Sequence, residues 1–356
     1  MDYKKYLNKL LTATVDGGAS DLHINVGIKP HLRVDGELSP IQDEPEVDND
    51  IANGIVEALF NQEQKEKFHN ERELDFSFAH ESGARFRINV YLERGHTSLA
   101  ARLIPAKIMS IDELEMPPIF HDFAKMAQGF ILVVGPAGHG KSTTLAAIID
   151  EINETRNEHI ITIEDPVEYL FTPKKGVISQ REVNTDTADF HRALKSVLRQ
   201  DPDVVMIGEM RDMESISIAM TAAETGHLVL STLHTNSAAQ TIDRIIDIFP
   251  PEKQSQAAAQ LAATIIAVVS KRLIPKIGGG RVPAFEILLI NSAVRNLIRE
   301  RKTHQIDLVI ETNLKSGMLS LNRSLAQLVK DKKVTLENAE LHSLNPNELK
   351  LLIDKI

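Results

Sequence analysis

Phe130-Ile131-Leu132-Val133-Val134-Gly135-Pro136-Ala137-Gly138-His139-Gly140-Lys141-Ser142-Thr143 decides how this chain is read. An apolar, β-prone run enters a loop of the form G-x-x-x-x-G-K-S, and a helical pattern from Thr143 to Ile152 follows. Glycines let such a loop turn its backbone N–H groups inward around a phosphate, and the helix start adds partial positive charge. Lys141 is placed to reach β- and γ-phosphates, and Ser142 to ligate Mg²⁺. With glycine near 7% of ordinary residues, a chance match in a chain this long has a probability of roughly one in a hundred, before the strand and helix are counted. Gly135, Pro136, Ala137, Gly138, His139, Gly140, Lys141, Ser142 and Thr143 are therefore the candidate nucleotide-binding residues. His139 occupies a free position of the motif and is expected to face solvent.

Outward from the loop, apolar runs at His159 to Ile163, Val204 to Gly208 and Leu228 to Leu233 alternate with helical patterns. That alternation predicts an α/β fold with a largely parallel sheet buried on both faces. Ligands bind beyond the carboxyl ends of such strands. Two runs end in acids: Ile163-Glu164-Asp165-Pro166-Val167-Glu168, and Val205-Met206-Ile207-Gly208-Glu209. Hydrolysis needs one carboxylate to orient water and another to support the metal, so Glu164, Glu168 and Glu209 are the candidates, Glu209 holding the metal directly or through water. The Leu228 to Leu233 run carries His227 before it and His234 after it. His234, at the carboxyl end, is placed to sense a γ-phosphate or contact the neighbouring carboxylates, and His227 to organise the strand's entry or an intersubunit contact. No third ligand stands at metal spacing, which argues against a zinc site.

The first hundred residues differ in pattern. Short stretches at Leu22 to Val26, Leu32 to Val34 and Arg85 to Tyr91 read as strands, with Gly27 to Pro30 and Asp35-Gly36 as turns, and 48 to 69 reads as one amphipathic helix. The expected organisation is an α+β domain over 1–104, a proline-marked linker over 105–118, the α/β core over 119–285 and a helical region over 286–356. At 356 residues, two domains are more natural than one. Forty Lys plus Arg against 50 Asp plus Glu give a net charge of −10, which opposes nonspecific attraction to nucleic acid or anionic lipid. The absence of cysteine excludes disulfides, thiolate metal sites and a cysteine nucleophile. No window reaches the roughly 20 apolar residues of a membrane span, and MDYKKYLNKLL lacks a signal peptide's apolar region. The expectation is a cytoplasmic protein without direct membrane insertion, whose association with any membrane must come through a partner.

Taken together, the phosphate loop, the acidic box from Ile163 to Glu168, the box from Val205 to Asp212 and the histidine box from Gly226-His227 to His234-Thr235 resemble the secretion ATPase superfamily. The closest resemblance is to the PilT-type retraction ATPases of type IV pili. Gly18 to His23 followed by Leu32 to Gly36 is similar to the start of that family's N-terminal PAS-like domain, and Ala293 to Glu300 resembles its retraction signature, with Val294 where Ile is usual. The resemblance implies RecA-like cores in a homohexameric ring, using ATP and Mg²⁺ to pull pilin out through an inner-membrane platform protein, with a paralogous retraction ATPase as a further partner. It assigns Glu168 as the catalytic base, with Glu164 as rival. Glu209 becomes the Walker B carboxylate, His234 the sensor, and Arg87 and Arg102 the candidates for touching a neighbour's γ-phosphate. His139 departs from the small polar residue common at its position. Three other readings remain: an assembly or type II secretion ATPase, an accessory nucleotide-binding subunit, and a DNA translocase. Many assembly relatives carry a tetracysteine segment that this chain cannot form, and intact Lys141, Glu168 and Glu209 argue against a silent accessory.

Overall fold

Residues 1–34, 36–104 and 107–355 are described by the computed structural model. Asp35 of the expected turn, and Pro105 and Ala106 at the start of the expected linker, lie outside them. The chain divides into two units: Met1–Lys107 with Pro166–Leu170, and Ile108–Asp165 with Phe171–Ile356. The acidic box is thus split, Glu164 belonging to one unit and Glu168 to the other.

In the first unit the elements are α1 (Tyr3–Asp16), β1 (Asp21–Ile24), β2 (His31–Val34), β3 (Glu37–Pro40), α2 (Asn49–Leu59), α3 (Gln62–Glu71), β4 (Glu73–Ala79), β5 (Arg85–Glu93) and β6 (His96–Ile104). The six strands form one antiparallel sheet in the order β3-β2-β1-β6-β5-β4. Strand period two explains β5: Phe86, Ile88 and Val90 are buried, while Arg85 and Arg87 take the other face. Helix α1 covers the core with Leu7, Leu10, Leu11 and Thr14, which share one side of a 3.6-residue turn. The single helix expected over 48–69 is in fact two. Phe60 turns extended (φ −82°, ψ 136°) and buries its ring against Phe68 and Phe76, and Asn61 and Gln64 form a reciprocal capping box that restarts the helix.

The second unit begins with a stretch in which Ile111 and Met116 are buried. It continues through α4 (Ile119–Lys125), β7 (Gly129–Val134), α5 (Lys141–Thr155), β8 (His159–Glu164), β9 (Val177–Glu182), α6 (Phe190–Val197), β10 (Val204–Ile207), α7 (Met213–Glu224), β11 (Leu228–Leu233), α8 (Ala238–Asp247), α9 (Pro251–Thr264), β12 (Ile265–Pro275) and β13 (Arg281–Leu289). Its sheet runs β13-β12-β7-β11-β10-β8-β9 and is parallel except for β13. Phe130, Leu132 and Val134 of β7 pack in one cluster with residues of α6 to α9, and α5 lies against β7 and β11. The β12–β13 hairpin replaces the helical start expected at 286. Its charged residues Lys271, Arg272 and Glu286 interrupt the apolar run and hide the strand period. Helices begin at α10 (Ser292–Arg299) and continue through α11 (Ile306–Thr312), α12 (Leu321–Lys330), α13 (Leu336–His342) and α14 (Pro346–Lys355). The last three pack on the hairpin through Ile274, Val282, Ala284, Leu325 and Leu349. Among the described residues, no helix is long and apolar enough to cross a membrane.

Candidate functional site

Strand β7 ends at Val134, and the chain turns immediately into the phosphate loop. Gly135, Gly138 and Gly140 have φ of +141°, +76° and +76°, values that side chains rarely accept. At Gly135 the need is also steric, since a Cβ there would lie 2.4 Å from the Lys271 carbonyl oxygen. Helix α5 starts at Lys141 with no side chain capping it, which leaves its first N–H groups directed at the loop's interior. Lys141 is buried, and its Nζ donates to Gly135 O (2.9 Å) and Pro136 O (3.0 Å). Ser142 and Thr143 are half-buried at the helix start. This is a built anion cradle, and residues of this kind fit a Mg-bound polyphosphate.

Parallel register carries the other strand ends to the same edge. Val134 pairs with Leu233, Ser231 with Ile207, and Ile207 with Ile163. His234 and Glu209 therefore emerge beside the loop. Lys141 Nζ lies 3.3 Å from His234 Nδ1, and His234 Nε2 lies 3.3 Å from Glu209 Oε1. An ammonium can only donate, so Nδ1 is the nitrogen turned to Lys141 and Nε2 the one turned to the carboxylate. Arg211 holds the other Glu209 oxygen at 2.8 Å. Partial burial pushes the Glu209 carboxyl up, but the Arg211 hydrogen bond and charge, with His234 and Lys141, outweigh it and leave the group below its ordinary range. Thr232 Oγ1 donates to Gly208 O (2.6 Å), fixing the backbone from which Glu209 projects. A cavity of about 150 Å³ opens beside this row, lined by Glu209, Arg211, His234, Thr235 and Arg244 among others.

The remaining candidates are placed differently. Strand β8 is separated from β7 by β11 and β10. Glu164, at its end, is buried and accepts from Thr162 Oγ1 (2.7 Å) and Gln180 Nε2 (3.3 Å). Glu168 is half-buried in the short segment that groups with the first unit. Arg87 and Arg102 are cross-strand partners on β5 and β6, on the face opposite the core. Like charges set side by side repel, and each is balanced by an acid: Arg87 by Asp75, and Arg102 by Asp21 at 2.8 Å. His227 Nδ1 lies 2.9 Å from Ala222 O, at the amino end of β11, away from His234.

Residues 2–279 match the family described as type II/IV secretion system protein. The chain belongs to that family. Within it, the type IV pilus retractation ATPase PilT of Pseudomonas aeruginosa is 44% identical over 333 residues, 94% of this chain and 96% of its own length. A twitching motility protein of Neisseria gonorrhoeae is 44% identical over 321 residues, covering 90% of this chain and 86% of its own. Among solved structures, the crystal structure of the pilus retraction motor PilT with bound ADP superposes with a TM-score of 0.90 at 42% identity, spanning 97% of this chain and 99% of that one.

Two features of this family member escape its sequence motifs. His139, expected in solvent, is half-buried and turned onto β12, where its Nδ1 accepts the Leu273 N–H at 2.9 Å. Lys271 is buried beneath the loop and donates to Thr144 Oγ1 (2.8 Å) and Gly140 O (3.3 Å). Burial, with Arg281 nearby, lowers its ammonium to about 8. The available signal was the charge itself, a lysine inside the apolar run from Ile265 to Ile274.

Proposed function

We propose that this protein is an ATP-hydrolysing motor of type IV pilus retraction. The observation that carries the reading is the end-to-end correspondence with the Pseudomonas retraction ATPase, 94% of one chain against 96% of the other. A match confined to the nucleotide core would support ATP binding alone.

In this reading the loop amides of Gly138 to Ser142 and the start of α5 hold the β-phosphate, and Lys141 leaves its carbonyl partners to meet the β- and γ-oxygens. Ser142 would hold Mg²⁺, with Glu209 in support, and the ion would supply charge neutralisation on the phosphate oxygens. Glu209 stays ionised at neutral pH under the influence of Arg211, as a metal-supporting group must. His234, held by Lys141 on one nitrogen and facing Glu209 with the other, is placed to register the γ-phosphate through either partner. An acidic-box carboxylate orients the attacking water. The resemblance gives that role to Glu168, with Glu164 as its rival. Water attacks the γ-phosphorus, the bond to the β,γ-bridging oxygen breaks, and ADP and phosphate leave. Arg87 and Arg102 serve the phosphates of a neighbouring subunit in a hexameric ring, and ligand-biased opening and closing of the subunit boundaries converts cleavage into motion. The ring works on the cytoplasmic side, against an inner-membrane platform protein.

Deleting the gene in its host tests the direction of the motor. Cells are expected to remain piliated and lose retraction. Loss of pili would overturn the reading in favour of assembly.

A further inference from the structure

We propose that His139 is a positioning residue of the phosphate loop, fastening its crown to β12 and thereby setting the affinity for nucleotide. This rests on the nucleotide reading above and goes beyond it, because no part of that reading gives His139 a task.

The geometry of β12 explains why a fastening is needed. Strand β7 pairs with β12 only as far as Ser270, opposite Val134. Beyond that point β12 continues to Pro275, paired on its other side with β13, where Leu273 stands opposite Pro283. The edge that β7 has left is taken over by the phosphate loop. An edge amide needs an acceptor, and Leu273 N–H finds it in His139 Nδ1 at 2.9 Å. A backbone N–H can only donate, so Nδ1 accepts and the ring is neutral, with its proton on Nε2.

The crown's other ties come from the hairpin's side chains and end on backbone carbonyls. Gly138 and Gly140 flank His139, both at φ +76°, and are soft points on either side. Pro136 and Ala137 bring no polar side-chain atom. The hairpin grips the rest through backbone and base: the Lys271 carbonyl seats Gly135, Lys271 Nζ takes Gly140 O and Thr144, and Arg281 reaches Gly138 O at 3.4 Å. Among the loop's free positions only His139 returns the contact with a side chain. A loop that spends part of its time off β12 binds with an affinity lowered by that fraction.

The surroundings keep the acceptor available. Burial foremost, then His342 of α13 (ring centroids 6.4 Å apart), Arg272 of β12, Arg281 of β13 and Lys141 of α5, hold the imidazole below its ordinary value of 6.5. It is therefore neutral at pH 7, and protonation at lower pH removes the acceptor.

The test uses the full chain and Mg-ADP, with affinity read by titration calorimetry on the parent, His139→Ala and His139→Asn. Asn Oδ1 lies where His Nδ1 does and can accept the same N–H. Alanine is expected to weaken ADP binding about tenfold, the scale of one hydrogen bond lost with its donor left unmet, and asparagine to restore it to within about threefold of the parent. As a second measurement that needs no destabilising change, the parent's ADP affinity is expected to fall more steeply as pH drops below 6.5 than that of His139→Asn. Alanine equal to the parent, asparagine as weak as alanine, or identical pH profiles would each overturn the assignment. A parent that binds no ADP would instead overturn the nucleotide reading, and this one with it.

Discussion

Replacing Gly135 by alanine is expected to lift the phosphate loop off β12, and the structure fixes how hard. The new methyl would sit 2.4 Å from the Lys271 carbonyl oxygen, about 0.6 Å inside the 3.0 Å that real Cβ contacts respect. That oxygen belongs to a strand paired with Phe285 of β13, so it cannot retreat without tearing the hairpin register. A φ of +141° adds backbone strain. Overpacking costs about 1–3 kcal/mol and strain of this kind about 1–3 kcal/mol, so the native loop conformation loses roughly 2–6 kcal/mol. At about 1.4 kcal/mol per tenfold, ADP affinity falls by ~30-fold or more. Gly138→Ala is the internal control: its φ is +76°, but nothing lies within 4 Å of the added methyl. Only the left-handed penalty of about 1–2 kcal/mol applies there, about 5-fold to 30-fold. Calorimetric ADP titration of both variants, alongside urea unfolding, reads the difference. Equal losses at the two glycines would refute the claim that the loop is seated on β12.

Two further outcomes follow from named groups. Glu286 is buried on β13 and accepts the Ala238 N–H at 2.6 Å, and burial foremost raises its carboxyl to about 7. Between about 4.5 and 7 the folded chain holds a proton that the unfolded chain releases, so this group's contribution to stability is complete below about 4.5 and is lost as pH rises through 7, by about 3 kcal/mol. Glu286→Gln keeps the acceptor and is expected to flatten that slope in urea midpoints from pH 5 to 8, whereas an unchanged slope would refute the assignment. Arg102→Ala is expected to lower phosphate release by about 10³ or more, as removal of a charge-stabilising arginine does elsewhere, with little change in melting because Asp21 keeps the Ser20 hydroxyl. Unchanged turnover would remove Arg102 from the site.

The core strands at Phe130, His159, Val204 and Leu228 were legible because strands buried on both faces read as unbroken apolar runs, and the phosphate loop because each of its residue types has a separate physical task. The β12–β13 hairpin was not. Lys271 and Arg272 sit in its middle and donate to Thr144 and to the His342 carbonyl, which are tertiary partners that local pattern does not contain. Strand β4 went unread although Glu73, Asp75 and Ser77 alternate strictly with Leu74, Phe76 and Phe78, and β6 because Leu99-Ala100-Ala101 breaks the period of two. The break at Phe60 was written in the sequence as Asn61-x-x-Gln64, a capping signature overridden by the helical spacing on either side. Within the candidate site, the juxtaposition of Lys141, His234 and Glu209 follows from strand order. The tie from His139 to Leu273 follows from where β7 stops, which spacing does not reveal.

Phosphate release from ATP and Mg²⁺ by the full chain, set against Lys141→Ala and Glu209→Gln, probes the centre of this account. Sustained turnover by the parent and its loss in both variants, with ADP still bound by Glu209→Gln, is the result predicted. A folded parent that releases no phosphate, or a Lys141→Ala chain that turns over as fast as the parent, would contradict it.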